Sequence, residues 1–176
     1  MNEFRQLRKW LLHLTETYPI GANPVRKWIN AHQSQFTDRG WERIEGTEKF
    51  TFIHGTYPYI FKVGRELWRE FRNYEWFMTW FPRNTLPTAI VHDNVIIQPR
   101  AGCVYPSMPE YEQLVINVKS LYRPNSEHLS SGLIYLCDKY MNYPDAHQGN
   151  LGLWRRAVRF LDFNGSYTTP QNLKAP

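Results

Sequence analysis

At 176 residues the chain has room for one domain or for two small lobes sharing a cleft. Its 42 % hydrophobic and 21 % charged residues are ordinary for a water-soluble globular protein, while 16 % aromatics, with Trp at seven positions, suit a small fold that builds its core from a few large side chains. A net charge of +5 fits nucleotide phosphates, nucleic acid or an acidic protein partner without choosing among them, and no run approaches the roughly 18 apolar residues of a membrane span.

The N-terminus lacks the apolar core of a signal peptide, and Cys103 and Cys137 lie far apart without metal-ligand spacing. The expectation is a soluble, cytoplasmic protein with no membrane contact and with both cysteines as packed thiols. Residues 1 to about 36 read as helical. Leu7, Trp10, Leu11 and Leu14 recur at helical spacing, and Asn23-Pro24 predicts the start of a second helix carrying Val25, Trp28 and Ile29. Arg5, Arg8, Lys9, Arg26 and Lys27 give these helices a basic face, for which solvation is the simpler account and nucleic acid the weaker alternative.

From Trp41 the pattern turns to strands: Glu42 to Glu45, Lys49 to His54 and Tyr59 to Val63, separated by turns at Gly46-Thr47 and Gly55 to Pro58. A helix is predicted from about Gly64 to Trp80, with Leu67, Phe71, Tyr74 and Met78 on one stripe and Pro82 as its stop. Two short strands follow, Thr88 to Val91 and Val95 to Gln98, around the turn His92-Asp93-Asn94. Helices are then predicted over Pro109 to Leu121 and Ser126 to Met141, the latter capped by Ser126. Leu151 to Trp154 and Ala157 to Leu161 read as a hairpin turning at Arg155-Arg156, and Gly165 to Pro176 as a polar tail.

Asp145-Ala146-His147-Gln148-Gly149-Asn150 precedes this hairpin and Asp162-Phe163 follows it. A carboxylate, an amide five residues on, and a second carboxylate across one hairpin would put two metal-binding groups at the two ends of that hairpin. No second His or Cys has ligand spacing to His147, which argues against zinc, and no G-x-S-x-G elbow supports a Ser-His-Asp hydrolase.

Over roughly Arg43 to Ser166 these pieces, in this order, resemble a very small member of the protein-kinase-like superfamily, with the D-x-H-x-x-N loop of the aminoglycoside and choline phosphotransferase branch and of phage and bacterial effector kinase-like proteins. Tyr143-Pro144-Asp145 stands for the His-Arg-Asp segment and Asp162-Phe163-Asn164 for Asp-Phe-Gly. The implied fold is α+β and two-lobed. A helical extension (1–40) precedes an N-lobe (41–99) of five antiparallel strands and one helix, and a truncated helical C-lobe (100–176) follows.

The resemblance implies ATP and Mg²⁺ as cofactors. Asp145 would orient or deprotonate the acceptor hydroxyl, and Asn150 and Asp162 would hold the metal. Lys62, an ammonium within Tyr59-Ile60-Phe61-Lys62-Val63, would bind phosphate and need a carboxylate partner. Glu75 is the expected partner, Glu70 the next choice and Glu66 the third; all three as solvated helix charges is the alternative. Gly46 and Lys49 would roof the nucleotide, and Ile97, Gln98 and Arg100 would flank the adenine.

The sequence departs from the family in two ways. Glu45-Gly46-Thr47-Glu48-Lys49 has one glycine and two carboxylates where a glycine-rich turn is usual, and only about a dozen residues follow Asp162-Phe163. The expected activity is a minimal protein Ser/Thr/Tyr kinase acting on a protein substrate. The alternative is a catalytically inactive, kinase-derived protein that binds a host factor.

Overall fold

The computed structural model describes residues 3–20, 24–44, 49–65, 67–120 and 150–163, without the side chains of 69, 119 and 120. Among them the fold is α+β, with a five-stranded antiparallel sheet, a separate two-stranded sheet and five helices. The chain forms two compact units, one from residues 1–69 and 87–100, the other from 70–86 and 101–176.

In the first unit, α1 (Glu3–Thr17), α2 (Val25–Ala31) and α3 (Gln33–Thr37) precede β1 (Trp41–Ile44), β2 (Lys49–His54) and β3 (Tyr59–Gly64); β4 (Ala89–His92) and β5 (Val95–Pro99) complete a sheet of order β1-β2-β3-β5-β4. The second helix begins at Val25, not at Pro24. Proline has no N–H to give and here serves as the N-cap, its carbonyl accepting from Lys27 N at 2.9 Å.

Strand alternation sorts the sheet into two faces. Phe50 pairs with Val63, and Phe52 with Phe61, whose next partner is Ile97; these buried side chains pack with Leu7, Leu11, Leu14, Trp28, Ile29 and Phe36 of the helices. The contacts are aromatic throughout: Phe52 stacks on Phe61 at 4.6 Å between centroids, Phe36 meets Phe52 at 4.5 Å, and Trp41 meets Phe61 edge-on at 4.9 Å. The N-terminal helices are thus half of the sheet's core. Periodicity reveals their apolar faces, and the packing shows what covers them.

The chain passes into the second unit within α4 (Leu67–Trp80). That unit adds α5 (Pro109–Ser120) and the hairpin β6 (Leu151–Trp154) and β7 (Ala157–Phe160). Its core gathers Phe77, Phe81, Leu114, Val118, Leu151, Val158, Phe160 and Phe163. Thr85 closes α4 by donating its hydroxyl to Phe81 O at 2.7 Å and Phe77 O at 3.1 Å. The chain then bridges β7, with Phe160 N donating to Asn84 O at 2.7 Å and Leu86 N to Phe160 O at 3.1 Å, while Gly102 exchanges 2.9 Å backbone bonds with Leu153 on the hairpin's other edge. A hairpin alone is marginal in water; flanked on both edges it becomes a rigid platform.

Cys103 is exposed rather than packed, and Cys137 lies outside the described residues. Among the described residues no helix is long and apolar enough to cross a membrane.

Candidate functional site

The second unit supplies the best-defined geometry. Leu151 pairs with Phe160, and one step further Leu161 N donates to Asn150 O at 2.9 Å. Asn150 and Asp162 therefore stand at the same open end of the hairpin, with Asp162 one residue beyond the last bridging bond. Hairpin register, set by the Arg155-Arg156 turn, brings together two residues twelve apart in sequence.

Phe163 anchors that end. It is completely buried, its ring 5.2 Å from Phe77 and 5.5 Å from Tyr74. Two side chains of α4 satisfy its backbone: Phe163 N donates to a Glu70 carboxylate oxygen at 3.3 Å, and Asn73 Nδ2 donates to Phe163 O at 2.7 Å. Glu70 is only 4 % exposed, so its carboxylate is a built part of the unit. Asp162 is thus fixed on both sides, by the hairpin before it and by the clamped Phe163 after it.

Glu75, the expected partner of Lys62, has an exposed side chain, and its carbonyl accepts the Thr79 hydroxyl at 3.0 Å. Glu70 is the buried carboxylate of α4 because Leu67, Glu70, Tyr74 and Phe77 recur at helical spacing on the inward stripe. A carboxylate on an apolar stripe was the available signal. Asn73 carried no such signal, since an amide in a helix reads as solvated.

In the first unit, Lys62 is 8 % exposed on β3, opposite Thr51 of β2 and Ile96 of β5. By strand alternation it shares a sheet face with Ile60, Gly64, Lys49, Thr51 and Gln98, the face turned from the aromatic core. Lys49 lies across Gly64, its Cγ 2.8 Å from where a Gly64 Cβ would stand, so glycine is what lets the lysine stem settle there. Gln98 is buried and donates from Nε2 to Thr88 Oγ1 at 2.8 Å.

The residues expected to flank adenine lie on β5 and just after it, with different surroundings. Ile97 points into the aromatic core, so only its backbone could meet a ligand. The Arg100 N–H donates to Pro58 O at 2.9 Å and its guanidinium to His54 O at 3.1 Å, so both are committed within the unit. Gly46, Glu66, Asp145, His147 and the helix expected over Ser126 to Met141 lie outside the described residues.

The donors at the hairpin's open end, an amide oxygen and a carboxylate, are hard oxygen ligands of the kind Mg²⁺ prefers, which leaves coordination positions for phosphate and water. Among the described residues no three His, Cys, Asp or Glu side chains gather as a metal cluster, so a transition-metal centre has no support there. Lys62, nearly buried on β3, is of the side-chain type that suits phosphate oxygens. No protein-family model matches this chain, and no curated protein matches it.

Proposed function

We propose that the chain is an ATP- and Mg²⁺-dependent phosphotransferase of the protein-kinase-like type, acting on a hydroxyl of a protein substrate. The observation that carries the proposal is the hairpin end, where Asn150 and Asp162 are bridged by the Leu161–Asn150 bond and Asp162 is steadied by the clamp of Glu70 and Asn73 on Phe163. Lys62 would neutralise phosphate charge, Asn150 and Asp162 would hold Mg²⁺, and Asp145 would orient the acceptor hydroxyl. The metal that Asn150 and Asp162 would hold would supply positive charge to offset the charge that develops during transfer. Such transfer needs positioning and charge neutralisation more than covalent chemistry from the protein, which suits a small set of held side chains.

Titration of ATP with and without Mg²⁺ tests this. Wild type should bind about tenfold or more tightly with the metal, a difference of about 1.4 kcal/mol. Asn150→Ala and Asp162→Ala should lose that gain. Binding indifferent to magnesium would contradict the assignment.

A second reading rests on Glu45-Gly46-Thr47-Glu48, whose single glycine and two carboxylates make a poor phosphate roof. On that reading the scaffold binds a partner protein without catalysis, and Asp145→Asn leaves its biological effect intact.

A further inference from the structure

The turn of the β6–β7 hairpin sets the strand register but is assigned no side chain in the proposed phosphotransfer, and its backbone is costly. Arg155 and Arg156 both have positive φ, 49° and 59°. Two-residue turns of this kind favour Asn-Gly, because a left-handed backbone crowds Cβ against the following carbonyl, at roughly 1–2 kcal/mol for a residue other than glycine. Arginine stands at both positions.

The Arg155 guanidinium lies over the Trp154 ring, 4.4 Å from its centroid, and Arg159 approaches the same ring at 5.3 Å. Burial, and then the charge of Arg155, hold the Arg159 guanidinium below its ordinary pKa. Arg156 instead lines a groove of about 520 Å³, together with Arg83 from the loop after α4 and with Glu110, Gln113 and Asn117 of α5. Among the described residues neither the Arg83 nor the Arg156 guanidinium has a hydrogen-bond or ion-pair partner, and both side chains are exposed.

The groove's floor is fixed by a chain of amides. Gln113 Nε2 donates to Asn117 Oδ1 at 3.0 Å, Asn117 Nδ2 to Asn84 Oδ1 at 2.9 Å, and Asn84 Nδ2 to Val158 O at 2.9 Å. Asn84 is 4 % exposed, so this network is internal structure that ties loop, helix and hairpin together. The walls are held, while the two cations that line them are uncommitted among the described residues.

Two guanidiniums against one carboxylate make the groove net positive, and guanidinium is the side chain best matched to a carboxylate. Glu110 on the same wall opposes an unbroken run of phosphates but not carboxylates spaced by neutral residues. Gln113 is exposed on the same wall and enters the chain of amides through Nε2, which leaves its amide oxygen to accept from a peptide backbone N–H. We propose that this groove docks an acidic peptide segment of a partner protein, with Arg83 and Arg156 engaging its carboxylates and Gln113 a backbone amide. The proposal is independent of whether the chain transfers phosphate.

Random peptides displayed on phage and selected on the intact chain test it, with the double variant R83E/R156E as the comparison protein. Recovered peptides should be enriched in Asp and Glu. Their affinity by fluorescence polarisation should fall at least about tenfold in the double variant. Arg83→Gln and Arg156→Gln alone should show smaller losses in the same direction, with melting temperatures at the wild-type value. The proposal is overturned if no peptide is recovered, if recovered peptides show no acidic bias, or if they bind the double variant equally. Displacement of the peptides by a single-stranded oligonucleotide that binds more tightly would also overturn it, assigning the surface to nucleic acid.

Discussion

Glu70 and Glu75 have the same side chain on the same helix, and their surroundings give them opposite roles. Glu70 accepts the Phe163 N–H from within the second unit, whereas the Glu75 side chain is exposed. Glu70→Ala removes a buried acceptor and strands a buried backbone donor, so urea unfolding should show a loss of about 1–3 kcal/mol. Glu75→Ala should stay within about 0.5 kcal/mol of wild type. Equal effects would mean that the clamp contributes nothing. At this scale the sequence revealed residue types better than partners. Lys62 was conspicuous as a cation in an apolar strand, and its near-burial follows from that setting. The ranking of Glu75 above Glu70 rested on a stripe drawn through Met78, which passes over the fully buried Phe77.

The hairpin is the element in which sequence and structure agree most closely, with its strands and turn placed to within a residue. The agreement has a local cause, since two short apolar runs around a two-residue turn leave few alternative registers. Its close packing was not visible: a Cβ on Gly152 would lie 2.5 Å from Ala101 Cβ and 2.9 Å from Leu161 Cδ2, contacts made by residues distant in sequence. Nor did the turn residues announce their backbone, because arginine is an unusual choice for left-handed geometry. Replacing the turn by R155N/R156G should relieve that strain and stabilise the chain by roughly 1–2 kcal/mol in denaturant titration, while weakening the acidic peptides. A destabilised double variant would show that the arginines contribute more to folding than their backbone costs.

For the molecule as a whole, the strands and their order followed from alternation and turn residues, which are short-range signals, while one five-stranded antiparallel sheet was what the resemblance implied and is the sheet found. The grouping of elements depends on long-range packing, and the helices read as a 1–40 extension share an aromatic core with the sheet. Removing residues 1–40 would uncover Phe52 and Phe61, so the shortened chain should aggregate or lose cooperative unfolding, as sedimentation and thermal melts would report. A soluble, cooperatively melting fragment would contradict the shared core. Phosphoryl transfer is tested by labelling from γ-labelled ATP with Mg²⁺, to the protein itself and to a cell lysate, for wild type beside Asp162→Ala and Asp145→Asn. Wild type should give labelled protein and both variants a fall of at least about a hundredfold, some 2.7 kcal/mol of lost transition-state stabilisation. Labelling equal in all three proteins, or no labelling by a wild type that also fails to bind Mg-ATP, would contradict phosphoryl transfer.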